Sequence, residues 1–182
     1  MEDQPDSNAR QQNLYLTEVL KLVVVCEYIS LYHAVLARRV TWFGVLRAIA
    51  SSGAIASWAI TTSLPMVWGS IIAVSQVADA LKDVFPFSTR HKAAGELLMS
   101  LENLRIQTLF EAEAVYAGQL APIQITELRR KLMKSLHEAE LKHFPSGRLP
   151  VRLDLKNLAE RAALAYFDAL FGPRTSDVKN EA

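Results

Sequence analysis

The sequence predicts an all-α protein: a two-helix transmembrane hairpin, with an N-terminal packing helix before it and a C-terminal cytosolic helical bundle after it. Three observations predict this. No segment of the 182 residues alternates with the period of two that a half-buried strand requires. Leucine and valine instead recur at helical spacing over long stretches. The stretch SSGAIASWAITTSLPMVWGSIIAVSQVADA, from Ser51 to Ala80, carries no charge before Asp79.

Residues 1–12 are polar, open acidic, and predict a disordered lead with no secretory signal. Residues 13–40 (NLYLTEVLKLVVVCEYISLYHAVLARRV) lack Gly and Pro and place Leu16, Leu20, Val23 and Val24 at helical spacing. They predict an N-terminal cytosolic helix, closed by Arg38 and Arg39. Its interior carries Glu18, Lys21 and Glu27, which marks a packing helix rather than a span. Cys26 is the one cysteine, so no disulfide forms within a chain, and in LVVVCEY it reads as a small core hydrophobe.

The hairpin is expected over residues 41–84. Beyond Pro86 the composition changes, and 87–172 is expected to be a cytosolic helical region. RHKAAGELLMSLENLRIQTLFEAEAVYAGQL predicts a long helix with Leu97, Leu101, Leu104 and Leu109 along one side. APIQ breaks it. ITELRRKLMKSLHEAELKHF follows, with Leu128, Leu132 and Leu136 on one stripe. PSGRLP is a loop by its Pro and Gly content. Asp154 is the expected N-cap of DLKNLAERAALAYFDALFG, which Gly172-Pro173 stops. Residues 173–182 are a polar tail.

Two spans need about twenty apolar residues each. Trp42 to Thr62 and Pro65 to Val84 meet that length, with a turn at Ser63-Leu64-Pro65. Folding the segment about Leu64 puts Arg47 and Asp79 at similar depth, near the end where both chain termini emerge. There they pair, or Arg47 snorkels to headgroups. Trp58 and Trp68 flank the turn, and Trp42 and Phe43 lie level with Phe85 and Phe87. These are two aromatic tiers roughly 22 Å apart at the helical rise, the pattern of interfacial belts. Arg38, Arg39, Lys82, Arg90 and Lys92 flank the hairpin while its turn is uncharged, which predicts both termini in the cytoplasm.

The spans are rich in small and polar residues. The candidate pore or assembly face comprises Arg47, Ser51, Ser52, Gly53, Ser57, Gly69, Ala73, Ser75, Gln76 and Asp79. Small residues four apart, as in Gly69-x-x-x-Ala73, let helices approach closely in lipid. Ser75, Gln76 and Asp79 are costly to leave in hydrocarbon and should face another helix or water. Packing of one helix on the other in a plain anchor, assembly around a shared interior, and a soluble bundle with the hairpin as its buried core all remain open at this point.

Catalytic chemistry is not expected. Net charge is +1, so no electrostatic footprint for nucleic acid appears. His137 and His143 in HEAELKH are six apart, where the zinc-helix pattern needs four, so no metal site is expected. Glu111 and Glu113 read as solvated charges on different faces, and His33 as a satisfied interface histidine. There is no Gly-rich phosphate loop and no Ser-His-Asp or Cys-His arrangement. No enzyme activity and no cofactor are expected.

The order of elements carries a resemblance. A helix ending YHAVLARRV is followed by Ser/Ala/Gly-rich paired spans. A long HKAAGELLMSLENLRIQTLFEAEAVY helix comes next, and a last helix ends AALAYFDALFG. From Asn13 to Gly172 this layout resembles the SLATT family, two-transmembrane effector domains associated with SMODS nucleotidyltransferases and SLOG domains in bacterial conflict systems. The resemblance implies an inner-membrane effector in anti-phage defence. Such an effector oligomerises and permeabilises the membrane on a signal from a partner sensor, arresting or killing the host cell. Its implied partners are the lipid bilayer, further copies of itself, and a nucleotide-signalling or other sensor encoded nearby. Two other readings stand beside it. One is a membrane-tethered binding module recruiting a partner through Ala159, Ala162, Ala163 and Tyr166. The other is a soluble all-α scaffold.

Overall fold

A computed structural model of the chain describes residues 4–51, 69, 73, 76, 87–145 and 151–172. The fold is all-α, with no strand among the described residues. The helices are α1 (Gln4–Ser51), α2 (Phe87–Tyr116), α3 (Pro122–His143) and α4 (Leu153–Phe171). The chain divides into two compact units, Met1–Tyr32 with Ala94–Ala182, and His33–Ala93, and both α1 and α2 contribute to each.

The first unit has one core. From α1 it takes Tyr15, Val19, Leu22, Cys26 and Ile29; from α2, Leu97, Leu101, Ala112 and Val115; from α3, Ile125 and Leu132; from α4, Phe167. The α1 stripe is turned by one residue from the expected Leu16 and Leu20, which pack at its margin. Tyr15 takes the centre because its hydroxyl finds Glu111 Oε2 across the core at 3.2 Å. Burial, reinforced by Glu111, holds that phenol well above its ordinary pKa. Cys26 is buried as expected. Burial first, then Glu102, pushes its thiol up to about 12, with Arg105 opposing. The α3 stripe holds, with Leu128 and Leu136 packed against the core, while Arg130 and Glu127 pair on its exposed side.

Several boundaries differ from the sequence expectation. α1 begins at Gln4, so the lead is helical from that residue on instead of disordered. Gln12 Nε2 donates to the Val115 carbonyl at 3.2 Å, which ties this extension to the end of α2. α1 also runs past Arg38 and Arg39 to Ser51 instead of closing at Val40. Thr41 does not break it, because its hydroxyl donates back to the Ala37 carbonyl at 3.0 Å.

The break after α2 falls at Ala117–Ala121, where Gly118 has φ +70°, a left-handed conformation that glycine adopts without strain. Pro122 then opens α3, its missing N–H costing nothing in the first turn. The N-cap of α4 is Arg152, not Asp154. The Arg152 N–H donates to the Tyr28 hydroxyl at 3.1 Å, and its guanidinium holds the Asp154 carboxylate within the first turn. That pairing holds the Asp154 carboxyl below its usual range. Gly172, at φ +81°, ends α4 as expected, with its N–H on the Asp168 carbonyl.

Charged residues connect the first unit's helices. Glu111 is a tie rather than a solvated charge: besides Tyr15 it accepts from Lys131 Nζ of α3 at 3.1 Å. Arg105 of α2 reaches Glu27 at 3.5 Å and Glu102 at 2.8 Å, and lies 5.6 Å from the Tyr166 ring centre on α4. Ala159 and Ala163 are fully buried within this unit. The alanine face proposed for a docking partner is therefore internal, and only Ala162 and Tyr166 of the four point outward.

Candidate membrane-facing and assembly segment

By length and composition one described helix, over Ser7–Val45, is long and apolar enough to cross a membrane. Its two ends are in different situations. Between Tyr15 and Leu36 the apolar residues alternate with half-buried and charged ones, and the buried positions pack the helical cores. From Thr41 on, no residue of α1 whose exposure is described is buried. Thr41, Trp42, Phe43, Gly44, Val45 and Ala48 are all exposed, although the helix continues to Ser51. Trp42 is 68 % exposed, Phe43 43 % and Val45 47 %. Consecutive residues point in different directions round a helix, so Trp42, Phe43 and Val45 present apolar surface on different sides of it.

Gly69, Ala73 and Gln76 of the expected second span are each helical and exposed. Spacings of four and three put them on one face. A Cβ added to Gly69 would meet nothing within 4 Å. Every described residue between 41 and 84 whose exposure is defined is exposed. Arg47 and Ser51 lie in the helical part of α1. Ser52, Gly53, Ser57, Ser75 and Asp79 lie outside the described residues, as does any pairing of Arg47 with Asp79.

His33 has a partner that spacing did not reveal. Its ring stacks on His91 of α2, with centroids 4.2 Å apart and planes 21° from parallel. Both belong to the second unit, and His91 Nε2 is buried without a hydrogen-bond partner. Burial, then the neighbouring imidazole, lowers the His33 pKa from its ordinary 6.5. A base with a lowered folded pKa is neutral in the fold while the unfolded chain already binds a proton. Its contribution is present above pH 6.5 and is lost as pH falls through the lowered value. Hydrogen exchange over residues 33–41, corrected for intrinsic rate, is expected to accelerate as pH drops from 7 to 5, about the range over which a histidine charges. The His33→Phe variant, which keeps the ring but removes the titrating group, should flatten that dependence; an unchanged dependence would contradict the role given to His33.

His137 and His143 have separate environments. His143 lies 3.3 Å from Ser100 Oγ and 3.5 Å from Glu96, while His137 is exposed. Among the described residues no group of three His, Cys, Asp or Glu is placed to hold a metal ion. Compared with family models, curated proteins and solved structures, the chain matches none of them.

Proposed function

We propose that the protein is a non-catalytic membrane effector of the SLATT type. Its two-span hairpin, residues 41–84, assembles with other copies to permeabilise the bacterial inner membrane when a partner sensor signals. The exposure of Trp42, Phe43 and Val45 on a helix that continues beyond them carries this reading. Apolar surface left exposed on a helix is unfavourable in water at roughly 25 cal/mol per Å², and lipid removes that cost. The bundle belongs in water, since α3 exposes Arg130, Lys131 and Lys134. Arg38 and Arg39, exposed one turn before Trp42, suit the cytoplasmic headgroup level.

Gly69, Ala73 and Gln76 share an exposed helical face, which supports assembly between chains over a plain two-helix anchor. The defence role and the partner sensor rest on the likeness of layout to SLATT domains. In the mechanism, the cytosolic bundle holds the hairpins in a closed assembly and the signal shifts the population to an open one. Carbonate washing tests the membrane half of the proposal: the chain is expected to stay in the pellet and to leave only with detergent. Recovery as a detergent-free monomer would overturn it.

A further inference from the structure

We infer that α2 carries a second assembly seam, separate from the hairpin, through which two copies pair in parallel and in register. Met99 is 71 % exposed, Ile106 54 % and Phe110 70 %. At 100° per residue these three and Asn103 fall on one stripe, about half a turn from the core positions Leu97, Leu101, Thr108 and Ala112. The bundle therefore leaves a full face of α2 apolar and uncovered.

The spacing of that face is 4, 3 and 4 residues, the period of a coiled-coil seam, with Met99 and Ile106 at d and Asn103 and Phe110 at a. A lone asparagine at an a position lowers stability but fixes register, because its amide is satisfied best by its own counterpart. In a parallel in-register pair every seam residue meets itself: amide meets amide and apolar meets apolar. The flanking positions do not oppose this. Glu102 is held within its own chain by Arg105 at 2.8 Å, and Gln107 is neutral. Glu96 and Glu113 occupy the next positions of the pattern and end the seam at both sides.

The occupant is a second copy for two reasons. α2 starts at Phe87, directly after the second expected span, so copies sharing one bilayer begin α2 at the same level. A parallel in-register partner is then supplied by the membrane itself. In addition, three such side chains expose on the order of 400 Å² per copy, so a pair buries about 800 Å², below the ~1,200 Å² of a stable soluble interface. The seam needs tethering, and a shared bilayer raises the effective concentration of the two helices. The direction of pairing thus rests on the spanning hairpin, while the face itself does not.

The test is disulfide trapping of the full chain in native membranes and after reconstitution into phospholipid vesicles. It uses single Met99→Cys, Ile106→Cys and Phe110→Cys variants, with exposed Met133→Cys on α3 as control; native Cys26 is buried. Each seam variant is expected to form dimer with its own counterpart several-fold faster than the control. No excess over the control, in a chain that still sediments with membranes, would overturn the seam and leave the hairpin reading standing. Trapping only between Met99→Cys of one chain and Ile106→Cys of another would signify antiparallel pairing and overturn both. Adducts only with a protein of different mass, absent from the vesicles, would replace the second copy with that partner and overturn the self-pairing.

Discussion

Gly69→Leu and Gln76→Leu are each expected to leave the chain in the membrane and to abolish dye leakage from cells expressing it. Both residues are helical and exposed, and a Cβ at position 69 meets nothing within 4 Å. A β-carbon at position 69 therefore has space within one chain. Leucine also makes the segment more apolar, which favours insertion in lipid. The loss of activity is expected to arise between chains, where leucine blocks close approach at Gly69 and removes a polar group at Gln76. One such contact is worth about 1 kcal/mol per interface. Because a closed ring repeats the loss at every interface, leakage is expected to fall by about tenfold or more. Parental leakage from both variants, at equal membrane abundance, would remove the assembly face.

The second large effect lies in the bundle. Phe167 is 2 % exposed and closes the core from the α4 side. Its ring lies 4.7 Å from Phe171, which packs 5.4 Å from Tyr116 and accepts the Tyr116 hydroxyl on its carbonyl at 2.9 Å. Phe167→Ala leaves a cavity in the core and unseats this aromatic row. The expected cost is about 3–5 kcal/mol, a factor of roughly 10² to 10³ or more in the opening equilibrium. Cys26 provides the readout. Buried in the same core, with its thiol pushed up to about 12, it reacts with iodoacetamide only when the core opens. In the variant the alkylation rate should rise by about two orders of magnitude or more; a rate close to the parent's would contradict the packing role of α4.

Much of the helical layout was legible because its signals are local. Pro122 marks one break and Gly172 another, and the Leu128–Leu132–Leu136 stripe follows from spacing alone; the helix before Pro122 ends at Tyr116, four residues short of the expected Leu120. What was not legible depends on partners far along the chain. Asp154 has the chemistry of an N-cap, but the Tyr28 hydroxyl, 124 residues away, takes the Arg152 N–H and moves the start of α4. Glu111 reads as a solvated charge until Tyr15 and Lys131 reach it across the core. The polar lead joins α1 because Gln12 finds a carbonyl at the end of α2. His33 and His91 carry no shared spacing, and their stack appears only once two helices are brought together.

The candidate face was legible in a different sense. Small residues four apart announce that something packs closely there, but not what. Gly69, Ala73 and Gln76 add that this face is exposed. The α2 seam escaped the sequence reading for a related reason. Met99, Ile106 and Phe110 look like core residues in a helix that also carries Leu97 and Leu101. Only the burial of the opposite side leaves them without a place in the fold.

The central claim is that lipid surrounds the segment from Thr41 onward, with the bend at Leu64 outside the cell. A Leu64→Cys variant in intact cells measures this directly with a membrane-impermeant maleimide, native Cys26 being shielded in the core. Labelling before the cells are opened is the predicted result. Labelling only after lysis, from the cytosolic side, would contradict the account.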